Sequence, residues 1–277
     1  MKRIKDWEEL TIQDNFLFQK VMRNKRLCQH LIEKILQIKI ADITYPDTEK
    51  TIDIRLDSKS VRLDVYVKDD TGRVFDIEMQ CTDEKDNGLA KRTRYYQAMI
   101  DMDVLEKGDD YSALNPAYII FICTFDAFDR GLPMYTFRNR CVEQNGIELN
   151  DEATKIFLNS KGDSEALDPD VRAFLRYVDG KAAEGVFVQE VDKEVRRVKQ
   201  HDETRREYMT LAMELKRQRQ EGIAEGLAEG LAEGSANEKK KIIVTMLQKG
   251  LSVEFIADCV QTSAEYIIEL GKKQHLL

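Results

Sequence analysis

"VRLDVYVKDDTGRVFDIEMQ", residues 61–80, holds two alternating runs around a short polar turn. Val61, Leu63, Val65 and Val67 share one face of a period-two strand, with Arg62, Asp64, Tyr66 and Lys68 on the other. In the second run Phe75, Ile77 and Met79 share a face, opposite Val74, Asp76, Glu78 and Gln80. The connection Asp70-Thr71-Gly72 reads as a three-residue hairpin loop, whose last position is commonly left-handed and therefore suits glycine. That loop pairs Asp69 with Arg73. Counting down the ladder sets Tyr66 against Asp76 and Asp64 against Glu78.

Directly opposed residues have Cβ atoms about 4.5–5.5 Å apart, and like charges in that position destabilise a sheet. A loop one residue longer would turn one carboxylate to the other face. Two readings fit the pattern. In one, the acids stand on a solvated outer face and do nothing. In the other, a divalent cation between Asp64 and Glu78 converts repulsion into ligation, since Mg²⁺ is commonly held by one or two carboxylates with water and a phosphate. A solvated face would more often mix signs, as Arg62 and Lys68 do at the ends, but the hairpin alone leaves both readings open.

The chain of 277 residues is long enough for one large domain, or for a domain with an appendage. A composition 42% hydrophobic and 34% charged describes a soluble globular protein with a heavily charged surface. No apolar run approaches membrane-spanning length; "YIIFIC" at 118–123 reads as a buried strand. "MKRIKDWEEL" is charged throughout and lacks the apolar core of a signal peptide. Five cysteines without a CxxC pair suggest reduced thiols in a cytoplasmic protein, not a zinc site or a disulfide frame. The three histidines form no HExxH and no evident triad.

A net charge of −8 opposes phosphate contacts, which come from Lys and Arg. The charge is unevenly placed, however. Residues 192–220 hold nine Lys or Arg against six Asp or Glu, and "AKRTRYYQ" at 90–97 is a compact basic and aromatic cluster.

Residues 14–38 have helical periodicity, broken near Arg23-Asn24 into two helices, with Asp14 as N-cap. An extended stretch to residue 58 precedes the hairpin. Residues 88–108 read as a helix ending at Gly108. "PAYIIFICTF", "MYTFRNRC" and "KIFLN" read as strands, and "DPDVRAFLRYV" as a helix with Pro169 in its first turn.

From about residue 190 the composition becomes charged and strand-free. Within it "EGIAEGLAEGLAEGSA" repeats a tetrapeptide over 221–236, setting Gly222, Gly226, Gly230 and Gly234 along a slowly drifting helical stripe. Each glycine costs roughly 0.8–1 kcal/mol of helix stability relative to alanine, which favours a helical or frayed spacer over a specific packing interface. The remaining residues suit a small helix-turn-helix-like bundle. Its third helix, "AEYIIELGKK", has few side chains suited to reading bases, so packing or self-association through these helices stands beside DNA binding.

Asp64, a turn, then Glu78-Met79-Gln80 resembles the signature of the PD-(D/E)XK nuclease superfamily, in which an acid on one strand and an acid-x-Lys on the next line a metal site. Further blocks resemble its Rpn-type recombination-promoting nucleases, also labelled putative transposases. These are "DNFLFQKVM", "VRLDVYV…VFDIEMQ", "AKRTRYYQAMID…LEKGDDY", "YIIFICTFDAF" and "REYM". The resemblance covers roughly residues 10–215, and its strength lies in the ordered series of blocks.

The resemblance implies an α/β fold with a restriction-endonuclease-like mixed β-sheet core flanked by helices, and an α-helical C-terminal appendage. Together with the change of composition near residue 190, this divides the chain into a nuclease-like domain over 1–190, a charged helical linker with the repeat over 191–237 and a small helix-turn-helix-like module over 238–277. The resemblance implies a metal-dependent DNA endonuclease of recombination or mobile-element biology, using Mg²⁺ or Mn²⁺. Asp64 and Glu78 match the ligand positions, and the Met79 carbonyl would be a further ligand. Gln80 departs from the superfamily's lysine; neutral glutamine can orient the attacking water but cannot stabilise negative charge as lysine does. Arg92, Arg94, Tyr95 and Gln97 match motif positions that would hold the DNA backbone, whereas Asp76 reads as a surface acid and Tyr96 as core. The alternative is a nuclease fold kept as a DNA-binding or regulatory module with little catalysis.

Overall fold

A computed structural model describes residues 3–46, 51–52, 61–83, 88–105, 108–163 and 165–277, with the side chains of 51, 52, 61 and 62 left aside. Much of the expected extended stretch before the hairpin lies outside the described residues, as do the two residues before Gly108.

Two helices open the chain, α1 (Asn15–Met22) and α2 (Lys25–Leu36). Asn24 separates them, and its side chain caps α2 by accepting from the Leu27 N–H. Asp14 does occupy the N-cap position of α1, but its carboxylate makes no cap bond. It accepts instead from the Thr11 N–H at 2.8 Å and from Lys5.

β1 (Ile43–Thr44) follows, then a two-stranded ribbon of β2 (Thr51–Ile52) and β3 (Val61–Arg62). The hairpin comprises β4 (Val65–Asp69) and β5 (Val74–Gln80), with Tyr66 opposite Asp76 and Gly72 at φ 88°. The Asp69 N–H donates to the Arg73 carbonyl at 3.0 Å, so the pairing across the turn is the one its loop length dictates.

Next come α3 (Gly88–Val104), β6 (Ala117–Cys123), β7 (Met134–Phe137), β8 (Ala153–Asn159), α4 (Pro169–Val178) and α5 (Val186–Gln200). The six-stranded sheet has the order β1-β4-β5-β6-β8-β7. β5, β6 and β8 run parallel to one another, and the remaining pairs are antiparallel. The inner strands β4, β5, β6 and β8 are largely buried on both faces, as parallel strands require. On one face Tyr66, Val74, Ile119 and Phe121 pack with Leu89, Tyr96 and Ile100 of α3. On the other, Val65, Val67, Phe75, Ile77 and Met79 are equally buried, and α1 lies against β5. Of the two readings of the hairpin's acidic face, the solvated outer face does not hold: α3 covers it.

The compact unit containing the sheet is Lys5–Met209, and Thr210–Leu277 falls in a second. In the first, α5 buries Phe187, Val188, Val191, Val195 and Val198. α6 (Asp202–Gln248) is a single helix that includes the whole repeat, with nothing within 4 Å of a Cβ built at its four glycines. In the second unit, Ile243 and Leu247 of α6 form a small core with Ile256 of α7 (Val253–Val260) and Ile267 of α8 (Ala264–Lys273). The five cysteines are free.

Candidate active site

Among the described residues, the C-terminal half of β5 gathers three acids and one arginine. β4 begins at Val65, opposite Ile77, so Asp64 stands one residue before the ladder at the level of Glu78. The Asp64 N–H donates to Glu78 Oε1 at 2.8 Å, and Asp64 Oδ2 accepts from the Met79 N–H at 3.1 Å. The N–H and C=O of one strand residue point to the same side of the strand, so the Met79 carbonyl also faces Asp64. The Gln80 carbonyl, on the other side, accepts from the Thr124 N–H at 3.0 Å. From α1, Asn15 Nδ2 donates to Asp64 Oδ2 at 3.0 Å and Gln19 Nε2 to Oδ1 at 2.9 Å.

Alternation along β5 brings Asp76 to the same face as Glu78, under α3, where it is 0% exposed against 4% for Glu78. Asp76 is thus not the surface acid that the sequence suggested. Neither of its oxygens meets a donor among the described residues. Its neighbour is the Glu78 carboxyl, which can bond to it only when one of the two is protonated. Burial, then the charge of Asp64, holds Asp76 well above the usual carboxylate range. Burial, then the charges of Asp76 and Asp64, does the same to Glu78. Asp64 is raised as well, because burial outweighs the bonds from Gln19, Met79 and Asn15.

The positive charge of Arg92 favours the ionised form of all three acids. Its Nη2 donates to Gln80 Oε1 at 2.7 Å and stands 3.9 Å from Glu78 Oε2. The guanidinium carbon lies 4.8 Å from the Phe121 ring centre and 5.4 Å from that of Tyr96. Gln80 Nε2 donates in turn to the Thr82 carbonyl.

Asp64, Glu78, Met79, Gln80 and Arg92 therefore come together. The other basic and polar positions on α3 do not join them. Arg94 and Tyr95 are exposed, and Gln97 Nε2 donates to Asp101 of the same helix at 2.8 Å. Tyr96 is buried against Phe121. Sequence reasoning missed the burial of Asp76 and the supporting amides Asn15 and Gln19. The signal for Asp76 was its parity with Glu78; for the amides there was only their spacing of one helical turn.

A family model described as "PD-(D/E)XK nuclease family transposase" matches residues 15–163. No curated protein and no solved structure matches the chain. The matched span is over half of the sequence and begins at Asn15, which holds Asp64; it includes both strands of the hairpin, α3 with Arg92, and β8 at its far end. A mixed sheet flanked by helices, an acid at the mouth of one strand and a Glu-x-Gln on the next agree with that match, and the chain belongs to the PD-(D/E)XK nuclease family transposases.

Proposed function

We propose that the chain is a divalent-metal-dependent DNA endonuclease acting in recombination or transposition. Asp64 and Glu78 with the Met79 carbonyl would hold Mg²⁺ or Mn²⁺. The observation that carries this reading is the convergence of the half-buried Asp64 carboxylate, the buried Glu78 carboxylate and the Met79 backbone at the end of β5. Among the described residues no three His, Cys, Asp or Glu side chains form a ready-made metal cluster. The donor set nonetheless suits Mg²⁺, which takes one or two carboxylates and completes its shell with water and phosphate oxygens. Acids raised first by burial and then by one another's charge, with the Asp76 oxygens lacking donors among the described residues, are a further sign that the site has room for positive charge.

Asn15 and Gln19 fix the Asp64 carboxylate from α1, so its lone pairs are aimed before a ligand arrives. The Asp64 N–H fixes one oxygen of Glu78. Asp76 and Glu78 can share a proton until a cation displaces it. When bound, a divalent cation polarises the phosphate, lowers the pKa of water and steadies the leaving 3′ oxygen. The exposed Arg94 and Tyr95 offer a second, outward face of α3 to the DNA backbone.

Plasmid nicking across a Mg²⁺ and Mn²⁺ titration tests the reading. The parent should cleave and Asp64→Asn should not. Added Mg²⁺ should raise the parent's melting temperature, because it binds the folded site and not the unfolded chain, and Asp64→Asn should lose most of that rise. Equal cleavage by the two proteins rules out the nuclease reading, leaving a nuclease fold that serves as a binding or regulatory module.

A further inference from the structure

Position 80 is neutral, yet a phosphodiester entering this site would bring its negative charge to three acids already crowded together. Among the described residues, the positive charge that reaches them is that of Arg92 on the neighbouring helix. Arg92 is clasped from two directions: its guanidinium lies over the rings of Phe121 and Tyr96, and its Nη2 is bonded to Gln80. The orientation of Gln80 is dictated by its partners. Arginine can only donate and the Thr82 carbonyl can only accept, so the amide must turn Oε1 to Arg92 and Nε2 to Thr82. α3 is itself anchored beneath by Leu89, Thr93, Tyr96 and Ile100, which fixes the backbone that carries the arginine. With Gln80 so engaged, it is not free to orient a water in this state.

We propose that Arg92 supplies the positive charge at the scissile phosphate, and that Gln80 is its positioning residue, holding the guanidinium beside Glu78. The assignment rests on the nuclease reading above. A guanidinium keeps its charge when partly desolvated and matches phosphate oxygens with paired N–H groups, which an ammonium cannot do. A cation on Asp64 and Glu78 would offset the charge of the acids beside which the guanidinium stands, so an incoming phosphate would meet two positive groups. The side chain is 23% exposed, so it is held but not sealed off.

The test compares kcat and KM for Mg²⁺-dependent nicking with the Mg²⁺-induced rise in melting temperature. Arg92→Gln should lower kcat about 10²-fold or more, the loss seen when one charge-stabilising donor is removed. Its KM should stay within about threefold and its Mg²⁺-induced rise should persist, since Asp64 and Glu78 remain. Gln80→Ala should lower kcat by about 10-fold through loss of positioning. Combining Gln80→Lys with Arg92→Gln returns the charge from the sheet side and should recover about 10-fold or more of the lost rate. Should Arg92→Gln fail to fold, Arg92→Lys, which keeps the charge but loses the fork, should show a loss of about 10-fold in kcat.

Parental kcat in Arg92→Gln, with Asp64→Asn inactive, would overturn the assignment and leave the nuclease reading standing. A raised KM at unchanged kcat would overturn it in favour of ground-state DNA holding. A combined variant no faster than Arg92→Gln would overturn it in favour of a packing role. A parent without Asp64-dependent cleavage would remove the nuclease reading, and this assignment with it.

Discussion

Asp76 is buried without a donor among the described residues, and the cost of that arrangement depends on pH. Its folded pKa and that of Glu78 lie well above the ordinary value of about 4, so at higher pH the folded chain holds protons that the unfolded chain has released. The stability associated with these protonated carboxyls is whole below about pH 4 and falls as pH rises towards their folded values. Asp76→Asn keeps the shape, removes one titrating group and offers Glu78 a donor. Measured without metal, its melting temperature should exceed the parent's by a margin that grows as pH rises above the ordinary carboxylate value of about 4. A margin independent of pH would mean that Asp76 does not titrate in the folded protein. The acid itself was legible in the sequence, because alternation fixes which residues share a face of β5. Its burial was not, because the cover comes from α3, and strand periodicity carries no information about which helix lies on which face.

At the level of elements, the hairpin was the most legible part of the molecule. Loop length sets register, and one glycine at φ 88° lets the loop close. Asp69 completes it: Oδ1 accepts from the Thr71 and Arg73 N–H groups and from the Thr71 hydroxyl, and the Arg73 side chain donates to Oδ2. A Cβ at Gly72 would meet Asn115 Oδ1 at 3.0 Å in a backbone conformation that side chains disfavour. Gly72→Ala should therefore destabilise the fold by about 1–2 kcal/mol, measured by chemical denaturation. An unchanged denaturation midpoint would mean that the turn relaxes to another form. The α3 positions show the limit of such reading. Helical spacing puts Arg92 and Tyr96 one turn apart, but only tertiary packing decided that this stripe, and not that of Arg94, meets the sheet.

For the whole molecule, composition shifted near residue 190, but the unit that contains the sheet continues through α5 to Met209. The sequence registered a change of polarity, whereas amphipathic helices such as α5 carry many charges and still bury one stripe. The start of α6 is tied in as well: Tyr208 packs on Trp7 and Phe16, its hydroxyl donates to the Lys5 carbonyl at 2.6 Å, and Glu207 pairs with Lys20. Truncation after residue 216 should leave the thermal transition of the remaining chain cooperative and close to its parental midpoint. Truncation after residue 200 should lower it, since removing a buried aromatic alone costs about 3 kcal/mol. Equal transitions for the two truncations would show that the aromatic contacts around Tyr208 contribute little.

The tetrapeptide repeat within α6 has a consequence for inheritance. A tandem tract grows or shrinks by whole copies, and a copy here is four residues, about 6 Å of helix. Each gain or loss leaves the glutamate and glycine phase of the tract intact, and neither the hairpin acids nor the small core of Ile243, Leu247, Ile256 and Ile267 contains a residue from it. Helix length is thus a trait that descent can change without touching chemistry.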